Sequence, residues 1–381
     1  MKILIVSEFF PTRKDIKFSG GVEARNFFVA KNLSKKHNVT IITSNLERAK
    51  AKEKLFSMNV LRVGPKRRYS PVTGDLLQRI AFIREAIKEG KKQQADIVEG
   101  TNFITHFIAK EVARNKKIPS IAWYPDVWIG SWIKNAGIMG IFGEVLERVN
   151  LARGFDAYIA ISKETANKIK KIIKSEAHTI YCGVDLKEFK SKAIKFPNPT
   201  IITIARLSKY KNIRTLLLAF AHLTLSIPKA QLIIVGSGPQ EKELKDLSKN
   251  LKIEKKVRLY SNLSRKDLVT LIKKSHIFCL PSYVEGFGIA TIEAAAAGLP
   301  YVNSNIPIQK EITKNGRGGF LVDPNNPISF SKKLKLLISD KKIYNKKSVQ
   351  ALSLSQSYDW SDISNSTEKL YKSVYESSRN N

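Results

Sequence analysis

The segment of residues 277–293 constrains the fold of this chain more than any other part of its sequence. Four consecutive apolar residues, Ile277 to Leu280, predict a buried parallel strand. Pro281, Gly286 and Gly288 then predict a loop, and the alanine-rich run that follows predicts a helix. This order of strand, glycine-containing loop and helix presents free backbone N–H groups at a helix N-terminus, where they can bind an anion.

Two carboxylates flank this anion-binding arrangement, Glu285 in the loop and Glu293 in the helix. A carboxylate does not assist phosphate binding by its charge, but it can accept hydrogen bonds from sugar hydroxyls. A phosphate site next to hydroxyl-binding carboxylates indicates a sugar nucleotide. The same residues also fit an ordinary strand-to-helix turn in which Glu293 is a solvated helix residue. Patterns elsewhere in the chain are needed to distinguish a sugar-nucleotide site from such a turn.

Strands and helices alternate along both halves of the chain, which predicts two doubly wound α/β domains. A length of 381 residues is sufficient for two hydrophobic cores. In the first half we expect strands at residues 2–7, 39–43, 58–63, 97–99, 118–123 and 157–161. In the second half we expect them at residues 200–205, 232–235, 257–260, 277–280, 301–303 and 319–322. The polar, proline-containing stretch 190–199 is typical of a linker.

The spacing of Glu285 and Glu293, with Gly-Phe-Gly between them and Ala-Ala-Gly-Leu-Pro after them, resembles the signature of retaining glycosyltransferases of family 4. The resemblance extends from the first strand to Trp360. It implies the GT-B fold, an α/β fold of two Rossmann-like, doubly wound domains that face each other across a cleft. It also implies an acceptor-binding domain at residues 1–184, a nucleotide-sugar domain at 185–359, and a C-terminal helix of about residues 360–377 that packs back on the first domain.

The resemblance also implies a reaction: transfer of a hexose from a nucleotide-diphosphate sugar to a lipid-linked, glycan or other hydroxyl acceptor. The anomeric configuration is retained, and neither a cofactor nor a metal ion takes part. Arg206 and Lys211 match the donor-phosphate pair of the family, where an arginine fork and a lysine charge could clamp the diphosphate. Glu285 would bind the transferred sugar and Glu293 the ribose. The other donor-site residues that the resemblance implies are Gly20, Gly21, Gly236, Gly238, Gly286, Phe287, Gly288 and Ile289.

The chain departs from the family pattern at Pro125 and at Asn212. Family members typically carry His-Asp where this chain has Pro125-Asp126, and glycine where it has Asn212. Proline has no ring nitrogen that could move a proton. Three explanations stay open: the departing phosphate takes the acceptor proton, Asp126 or the nearby His106 substitutes for the imidazole, or the chain is inactive. We expect an active enzyme with Asp126 as a catalytic residue and His106 as an ordinary helix residue.

The net charge of +33 predicts an anionic partner, because such a field attracts nucleic acid, anionic lipid or phosphorylated substrates. The charge is not accompanied by a zinc-finger or RNA-recognition pattern, so we rank an anionic membrane above nucleic acid and expect no nucleic-acid partner. The alternative is a compositional bias toward lysine on a solvated surface.

Two segments of the first half favour a membrane. Residues 72–92 predict a basic helix that carries its apolar residues on one face: Leu76, Leu77, Ile80, Ile83 and Ile87. Residues 123–142 hold three tryptophans suited to a membrane interface, Trp123, Trp128 and Trp132. A core helix with a basic outer face and a buried helical hairpin are the respective alternatives.

The expected location is cytoplasmic, with peripheral association on the cytoplasmic face of a membrane. The two cysteines, Cys182 and Cys279, lie far apart in the sequence and form no disulfide framework. The N-terminus has no signal-peptide pattern, and apolar runs stay shorter than the ~18 residues that span a bilayer.

Three rival functions stay open. A sugar-nucleotide epimerase shares the two-domain fold and would release an epimerised sugar nucleotide without an acceptor. A catalytically inactive subunit would keep the fold and lose turnover. A nucleic-acid-binding protein would explain the charge and would bind DNA or RNA with steep salt dependence.

Overall fold

The computed structural model describes residues 1–13, 16, 18, 20–47, 49–67, 76–133 and 137–380. The chain divides into two compact units. One consists of Met1–Cys182 with Trp360–Asn381, and the other consists of Gly183–Asp359. The division falls two residues before the boundary expected after residue 184. Each unit is built around one sheet whose strands are mostly parallel.

The first unit contains an eight-stranded sheet in the order β3-β4-β2-β1-β5-β6-β7-β8. Its strands are β1 Lys2–Val6, β2 Asn38–Leu46, β3 Lys52–Leu55, β4 Met58–Arg67, β5 Ile97–Gly100, β6 Ser120–Tyr124, β7 Ala157–Ala160 and β8 His178–Thr179. Neighbouring strands are parallel except for the antiparallel pair of β3 and β4. The strand order reverses between β1 and β5, and ligands of doubly wound sheets bind outside the carboxyl ends of the strands at such a switch point.

The sequence analysis missed two strands of this sheet, and both lie at its edges. Strand β3 reads Lys-Glu-Lys-Leu, and its charges are typical of an edge strand that must avoid pairing with other chains. Strand β8 has two residues and no hydrophobic alternation. The other six strands occur where they were predicted, with ends shifted by up to four residues.

The helices of the first unit are α1 Gly21–Leu33, α2 Leu76–Lys92, α3 Phe103–Lys116, α4 Gly140–Ala152 and α5 Lys163–Ile173. The C-terminal helix, Trp360–Asn380, also packs in this unit. Its Trp360 ring stacks on Phe28 of α1 with the ring centroids 5.3 Å apart. Its Tyr371 hydroxyl donates a hydrogen bond of 2.6 Å to Glu99 of β5.

The second unit contains a six-stranded sheet, parallel throughout, in the order β11-β10-β9-β12-β13-β14. Its strands are β9 Thr200–Ile204, β10 Gln231–Val235, β11 Val257–Tyr260, β12 Ile277–Leu280, β13 Tyr301–Ser304 and β14 Gly319–Val322. All six lie within one residue of their predicted ends. The switch point of this sheet lies between β9 and β12.

Helices cover both faces of the second sheet. They are α6 Leu186–Phe189, α7 Ile213–Ser226, α8 Glu241–Asn250, α9 Arg265–Lys274, α10 Ile289–Ala296, α11 Pro307–Ile312, α12 Pro327–Ser339 and α13 Lys341–Ser355. The core includes Ile201 and Ile234 of the sheet and Leu216, Phe220 and Phe330 of the helices, all fully or nearly fully buried. This packing fixes the strand ends at which the candidate site residues lie.

Candidate active site

The switch point of the second unit brings together the loop after β9 and the loop after β12. Strands β9 and β12 pair in parallel, with Ile202 opposite Phe278. Both loops therefore leave the same carboxyl edge of the sheet, where ligands bind in doubly wound folds. The backbone N–H of Tyr283 donates a 2.8 Å hydrogen bond to the carbonyl of Tyr210, which joins the two loops directly.

Lys211 and Glu285 form a salt bridge between these loops. Lys211 Nζ lies 2.7 Å from Glu285 Oε2, and Ser282 Oγ donates a 2.7 Å hydrogen bond to Glu285 Oε1. The Lys211 and Glu285 side chains are only 15% and 6% exposed. The structure thus places a cation suited to phosphate beside a carboxylate suited to hydroxyl groups, and the two predicted residues come from different loops.

Asn212, which replaces the family glycine, ties the same two loops together. Its φ angle of +53° lies in the left-handed region, which asparagine tolerates better than most residues. Its side-chain amide donates hydrogen bonds of 3.0 Å to the carbonyl of Pro281 and 2.9 Å to that of Pro324. Its Oδ1 also accepts a 3.0 Å hydrogen bond from Thr215 Oγ1. The departure therefore keeps the left-handed backbone and adds three hydrogen bonds.

Arg206 is exposed on the loop after β9, and two glycines begin the neighbouring loop after β10. A Cβ atom at Gly236 would lie 1.9 Å from the carbonyl oxygen of Ala205. A Cβ atom at Gly238 would lie 2.4 Å from the carbonyl oxygen of Leu207. Only glycine permits the loop after β10 to approach the Arg206 segment so closely.

The loop after β12 ends at Gly288, the N-cap of α10. Gly288 has a φ angle of +92°, and a Cβ atom there would lie 2.6 Å from Gln309 Nε2. Phe287 is buried and packs edge-on against Tyr358 at 5.9 Å between ring centroids. Because its side chain faces the interior, a ligand can meet Phe287 only through the backbone. The adjacent predicted residues are partly exposed: Gly286 and Ile289.

Glu293 of α10 is held by an arginine that the sequence analysis did not single out. Arg265 Nη1 donates to Glu293 Oε1. The same guanidinium donates from Nη2 and Nε to Glu188 Oε2 at 2.6 and 2.9 Å. No sequence signal distinguishes Arg265 among 66 lysines and arginines, since Glu188 lies 77 residues away and only the fold brings the three together.

In the first unit, Gly20 and Gly21 stand at the start of α1, in the connection that follows β1. Gly20 is extended, and among the described residues a Cβ atom built on it would meet nothing within 4 Å. The fold itself therefore does not require glycine at this position. Among the described residues, the Gly20 backbone is accessible at the N-terminal end of α1, a position where an anion can bind.

Asp126 lies at the carboxyl end of β6, in the first unit. Its Oδ1 accepts hydrogen bonds of 2.8 Å from the backbone N–H of Val127 and from Lys168 Nζ. Asp126 and the preceding Pro125 are both partly exposed. The carboxylate is accordingly charge-compensated and accessible, which suits a residue that meets a substrate hydroxyl.

His106, the other residue considered in place of the family histidine, lies in the protein interior. It is fully buried on α3, and its Nε2 is 2.9 Å from the backbone carbonyl oxygen of Trp123. Burial lowers the pKa of His106 to about 4, although the hydrogen bond to the Trp123 carbonyl raises it. A neutral, fully buried imidazole packs the core and is not placed to exchange a proton with a substrate.

Two carboxylates of α4 hold the loop after β6. Glu147 Oε2 accepts a 2.6 Å hydrogen bond from the indole of Trp132 and a 3.3 Å hydrogen bond from the backbone of Trp128. Glu144 accepts a 2.8 Å hydrogen bond from the backbone of Gly130. Burial raises the pKa of Glu147 to about 7, although these hydrogen bonds lower it. The group that fixes the loop next to Asp126 therefore titrates near neutral pH.

The expectation that the tryptophans of residues 123–142 face a membrane is wrong for Trp123 and Trp132. Their side chains are buried, and Trp132 packs against Phe103 with 4.7 Å between ring centroids. Tryptophan carries an apolar ring and one N–H group, so it fits a core equally well once that N–H group has a partner such as Glu147. Residues 134–136 of this segment lie outside the described residues.

The predicted apolar face of α2 is only partly buried, with Ile83 and Ile87 packed against the core. The buried residues of this helix are Arg79, Phe82, Ala86 and Gly90, whereas Leu77 and Ile80 are exposed. Arg79 is buried because its Nε donates a 2.9 Å hydrogen bond to Glu8, which compensates its charge. Residues 72–75, which the prediction included, lie outside the described residues.

In the described part of the chain, no helix is both long enough and apolar enough to cross a membrane. The same residues contain no group of three or more His, Cys, Asp or Glu side chains that could hold a metal ion.

Comparisons with known proteins agree with this architecture. The pattern of the family "Glycosyl transferases group 1" matches residues 185–352, and that of "Glycosyltransferase Family 4" matches residues 19–188. An uncharacterised glycosyltransferase of Haemophilus influenzae is 29% identical over 363 residues, covering 90% of this chain and 94% of its own length. One from Methanocaldococcus jannaschii is 25% identical over 404 residues, covering 99% of both chains.

Solved structures show the same fold. A sucrose-phosphate synthase from Thermosynechococcus elongatus superposes with a TM-score of 0.84 at 17% identity, covering 99% of both chains. The Anabaena protein HepE, solved in complex with UDP-glucose, superposes with a TM-score of 0.75 at 19% identity, covering 98% of this chain and all of HepE. The chain belongs to the family 4, or group 1, glycosyltransferases. It has the GT-B fold of two parallel-sheet α/β domains, and it is a glycosyltransferase enzyme.

Proposed function

We propose that this glycosyltransferase moves a hexose from a nucleotide-diphosphate sugar to a hydroxyl acceptor, with retention of the anomeric configuration. The observation that carries the proposal is the Lys211–Glu285 pair at the carboxyl edge of β9 and β12. One partner offers charge to a leaving diphosphate, and the other offers acceptor oxygens to sugar hydroxyls. HepE, which shares the fold, binds UDP-glucose, and this supports a nucleotide sugar as the donor.

The leaving diphosphate is stabilised by fixed positive groups in this proposal. Lys211 is held in place by Glu285, and Arg206 is exposed on the same loop. The N-terminus of α10 adds backbone N–H groups directed at the same edge. Preorganised charges of this kind stabilise developing negative charge, so the reaction proceeds without a metal ion or cofactor.

The acceptor hydroxyl loses its proton without the help of a histidine. Pro125 stands at the position of the family histidine, and the buried His106 is not available in its place. In the proposed mechanism the departing phosphate takes the acceptor proton while the new glycosidic bond forms on the same face of the sugar. Asp126, partly exposed and paired with Lys168, orients the acceptor or the transferred sugar.

The experiment that tests this function combines donor binding with product analysis. Thermal unfolding with UDP-, GDP- and ADP-hexoses identifies the donor, because a ligand at about 100 times its Kd stabilises the folded state by about 2.7 kcal/mol. Transfer to lipid-linked, glycan and small hydroxyl acceptors is then measured. Release of an epimerised sugar nucleotide without an acceptor would identify an epimerase instead. Donor binding without any product would identify an inactive subunit.

A lipid-linked acceptor at an anionic membrane is the acceptor class that the surface of the first unit favours. On α4, Ile141, Val145 and Val149 recur every four residues along one exposed face, and Ile138 just before the helix is 80% exposed. These four side chains form the α4 ridge. Exposed aliphatic side chains in such a row are typical of a helix that lies in a membrane interface.

A helix that contacts α4 carries several lysines. Helix α5 contacts α4 and carries Lys163, Lys168, Lys170 and Lys171. Anionic lipid headgroups would attract these lysines while the aliphatic ridge enters the apolar region. The α4 ridge therefore replaces the tryptophans as the surface proposed for peripheral association with the cytoplasmic face of a membrane.

Flotation with vesicles tests this surface. The wild type should bind anionic vesicles more than neutral ones, and its binding should weaken with salt without vanishing. The double variant Ile141→Glu/Val145→Glu should lose binding to both, whereas Val349→Glu, at an exposed valine of the second unit, should bind like wild type. Equal binding by the two variants would contradict the α4 ridge. If the wild type is a dimer and the double variant is a monomer, the α4 ridge is a self-association surface instead.

A further inference from the structure

Glu293, the carboxylate proposed to bind the ribose, is positioned by one guanidinium group. Arg265 Nη1 donates to Glu293 Oε1, and the described residues give Glu293 Oε2 no donor. The side chains of Arg265 and Glu293 are only 17% and 10% exposed. One oxygen is thus fixed by a charged hydrogen bond, while the other stays available to accept from a ligand hydroxyl.

A second carboxylate holds Arg265 in this orientation. Arg265 donates from Nε at 2.9 Å and from Nη2 at 2.6 Å to Glu188 Oε2. Donation from two nitrogens restricts rotation of the planar guanidinium far more than a single contact would. Burial lowers the pKa of Arg265, but Glu293 and Glu188 outweigh this effect and raise the pKa above its ordinary value. The arginine therefore stays charged.

The backbones on both sides of this contact are fixed by helix caps. Arg265 is the first residue of α9, whose N-cap Ser264 accepts a 3.2 Å hydrogen bond from the backbone of Asp267. Glu188 lies on the short helix α6, whose N-cap Asp185 accepts a 3.1 Å hydrogen bond from the backbone of Lys187. These caps limit the movement of the two side chains that set the position of Glu293.

We infer that Arg265, held by Glu188, is a positioning residue that orients Glu293 toward the ribose hydroxyls and thereby makes the donor site selective for ribonucleotides over deoxyribonucleotides. The inference rests on the proposed nucleotide-sugar donor and on the ribose-binding role expected of Glu293. A site built to bind a hydroxyl rejects an analogue that lacks it, because the carboxylate is then desolvated without a partner. Such rejection requires a carboxylate that cannot rotate toward water, and the Arg265–Glu188 contact provides that constraint.

The test compares nucleoside diphosphates by titration calorimetry on the full chain. UDP, GDP and ADP are screened first, and the one that binds is compared with its 2′-deoxy and 3′-deoxy forms. The wild type should prefer the ribonucleotide by about 10-fold or more over at least one deoxy form, since a hydrogen bond to a charged group is worth at least this factor. Arg265→Lys keeps the charge but loses the planar guanidinium group. It should reduce the ratio of the ribonucleotide affinity to the deoxyribonucleotide affinity to about threefold or less.

Two further variants separate positioning from folding. Glu188→Gln leaves the Arg265–Glu293 contact in place and should give an intermediate preference. Lys266→Gln, next to Arg265 and exposed on α9, should keep the wild-type preference. If Arg265→Lys does not fold, Glu188→Gln alone must lower the ratio of the two affinities. Melting temperatures are recorded for each variant, because a merely structural role would lower stability and leave this ratio unchanged.

The outcomes separate this inference from the proposed function. A wild type that binds no nucleoside diphosphate overturns both. A wild type that binds the ribonucleotide and its deoxy forms equally overturns the selectivity and leaves the donor site standing. Wild-type preference in folded Arg265→Lys overturns the positioning role alone. Loss of preference in Arg265→Lys and Glu188→Gln, with retention in Lys266→Gln, supports it.

Discussion

Lys211 and Glu285 form a 2.7 Å salt bridge that joins the loop after β9 to the loop after β12. Each residue was expected to contact a different part of the donor, and the structure shows that each also holds the other. A substitution of either residue should consequently affect both donor binding and folding. Arg206, exposed on the same loop, should affect binding more than folding.

The first prediction compares Lys211→Met with Arg206→Ala. Loss of one partner of a buried salt bridge costs about 3–5 kcal/mol, so Lys211→Met should be markedly destabilised in urea unfolding. Arg206→Ala should change the free energy of unfolding by less than about 0.5 kcal/mol. Both should lower kcat/KM by about 10²-fold or more, as loss of a transition-state contact does.

Lys209→Ala serves as the control, because Lys209 is exposed in the same turn. It should retain both stability and activity. Wild-type transfer activity in Arg206→Ala or Lys211→Met would contradict the assignment of that residue to the donor diphosphate.

The second prediction concerns Asn212, whose left-handed φ and three side-chain hydrogen bonds are separable. Asn212→Gly keeps the backbone conformation and loses only the hydrogen bonds, which should cost about 1–3 kcal/mol. Asn212→Ala should cost about 1 kcal/mol more, because alanine is strained in the left-handed region. Asn262→Ala, at an exposed asparagine with a φ angle of +56°, measures the backbone strain separately. Equal stabilities of Asn212→Gly and Asn212→Ala would show that this strain is negligible.

The sequence predicted most of the fold, because most of the strands can be recognised from a few consecutive residues. Strands β10, β12 and β14 are short apolar runs followed by glycine, proline or aspartate, and such runs need no distant information. Strand β3 was missed because the edge strand Lys-Glu-Lys-Leu shows no regular alternation of apolar and polar residues. The burial of Arg79 on α2 was not predicted, because it depends on a hydrogen bond to the distant Glu8.

The candidate site was predictable only in part, for a related reason. The glycine loops and the spacing of Glu285 and Glu293 are local patterns, and they located the carboxyl edge of the second sheet. The salt bridge between Lys211 and Glu285 and the clamp of Arg265 on Glu293 join residues on separate elements. The spacing of residues in the sequence does not predict such contacts, since they form only when the parallel sheet brings the strand ends together.

The third prediction is a pH dependence of stability caused by Glu147. The pKa of Glu147 is about 7 in the folded protein, against 4.5 for the free group. A raised folded pKa gives stability that is fully present below pH 4.5 and is lost as the pH rises through 7. The contribution is about 3 kcal/mol as an order of magnitude, from about 1.4 kcal/mol per pKa unit.

Urea unfolding between pH 4.5 and 8, followed by tryptophan fluorescence, measures this loss in the wild type. Glu147→Gln should flatten the profile, because glutamine stays neutral and can still accept from Trp132. Glu144→Gln changes the neighbouring carboxylate that holds Gly130 and should keep most of the wild-type slope, because Glu144 is the smallest of the causes that raise the pKa of Glu147. The same slope in Glu147→Gln as in the wild type would assign the titration to a group other than Glu147.

The fourth prediction concerns metal ions. Transfer should continue in the presence of EDTA, because Arg206, Lys211 and the N-terminus of α10 supply the positive charge at the leaving diphosphate. Added Mg²⁺ or Mn²⁺ should raise the rate by less than about twofold, since a preorganised clamp of this kind leaves little further charge to neutralise. Loss of activity on chelation, with recovery on addition of Mg²⁺, would contradict the metal-independent mechanism.

The last prediction concerns Pro125 and Asp126, where the chain departs from its family. If the departing phosphate takes the acceptor proton, Pro125→His should be tolerated or mildly beneficial. Asp126→Asn removes the charge that meets Lys168 and should lower kcat by about 10²-fold, the scale of a lost substrate-positioning contact. Steady-state kinetics at saturating donor measures kcat, and urea unfolding shows whether each variant is folded.

Glu164→Gln is the matched control for Asp126→Asn, because Glu164 pairs with the same Lys168 at 3.7 Å. This substitution removes a carboxylate partner of Lys168 but leaves Asp126, at the end of β6, unchanged. The variant should transfer the sugar at the wild-type rate. His106→Ala is unsuitable for this comparison, since deleting a fully buried ring leaves a cavity and destabilises the fold. A wild type that binds a sugar nucleotide without transferring it, and a Pro125→His variant that restores transfer, would show that the chain needs the imidazole it lacks.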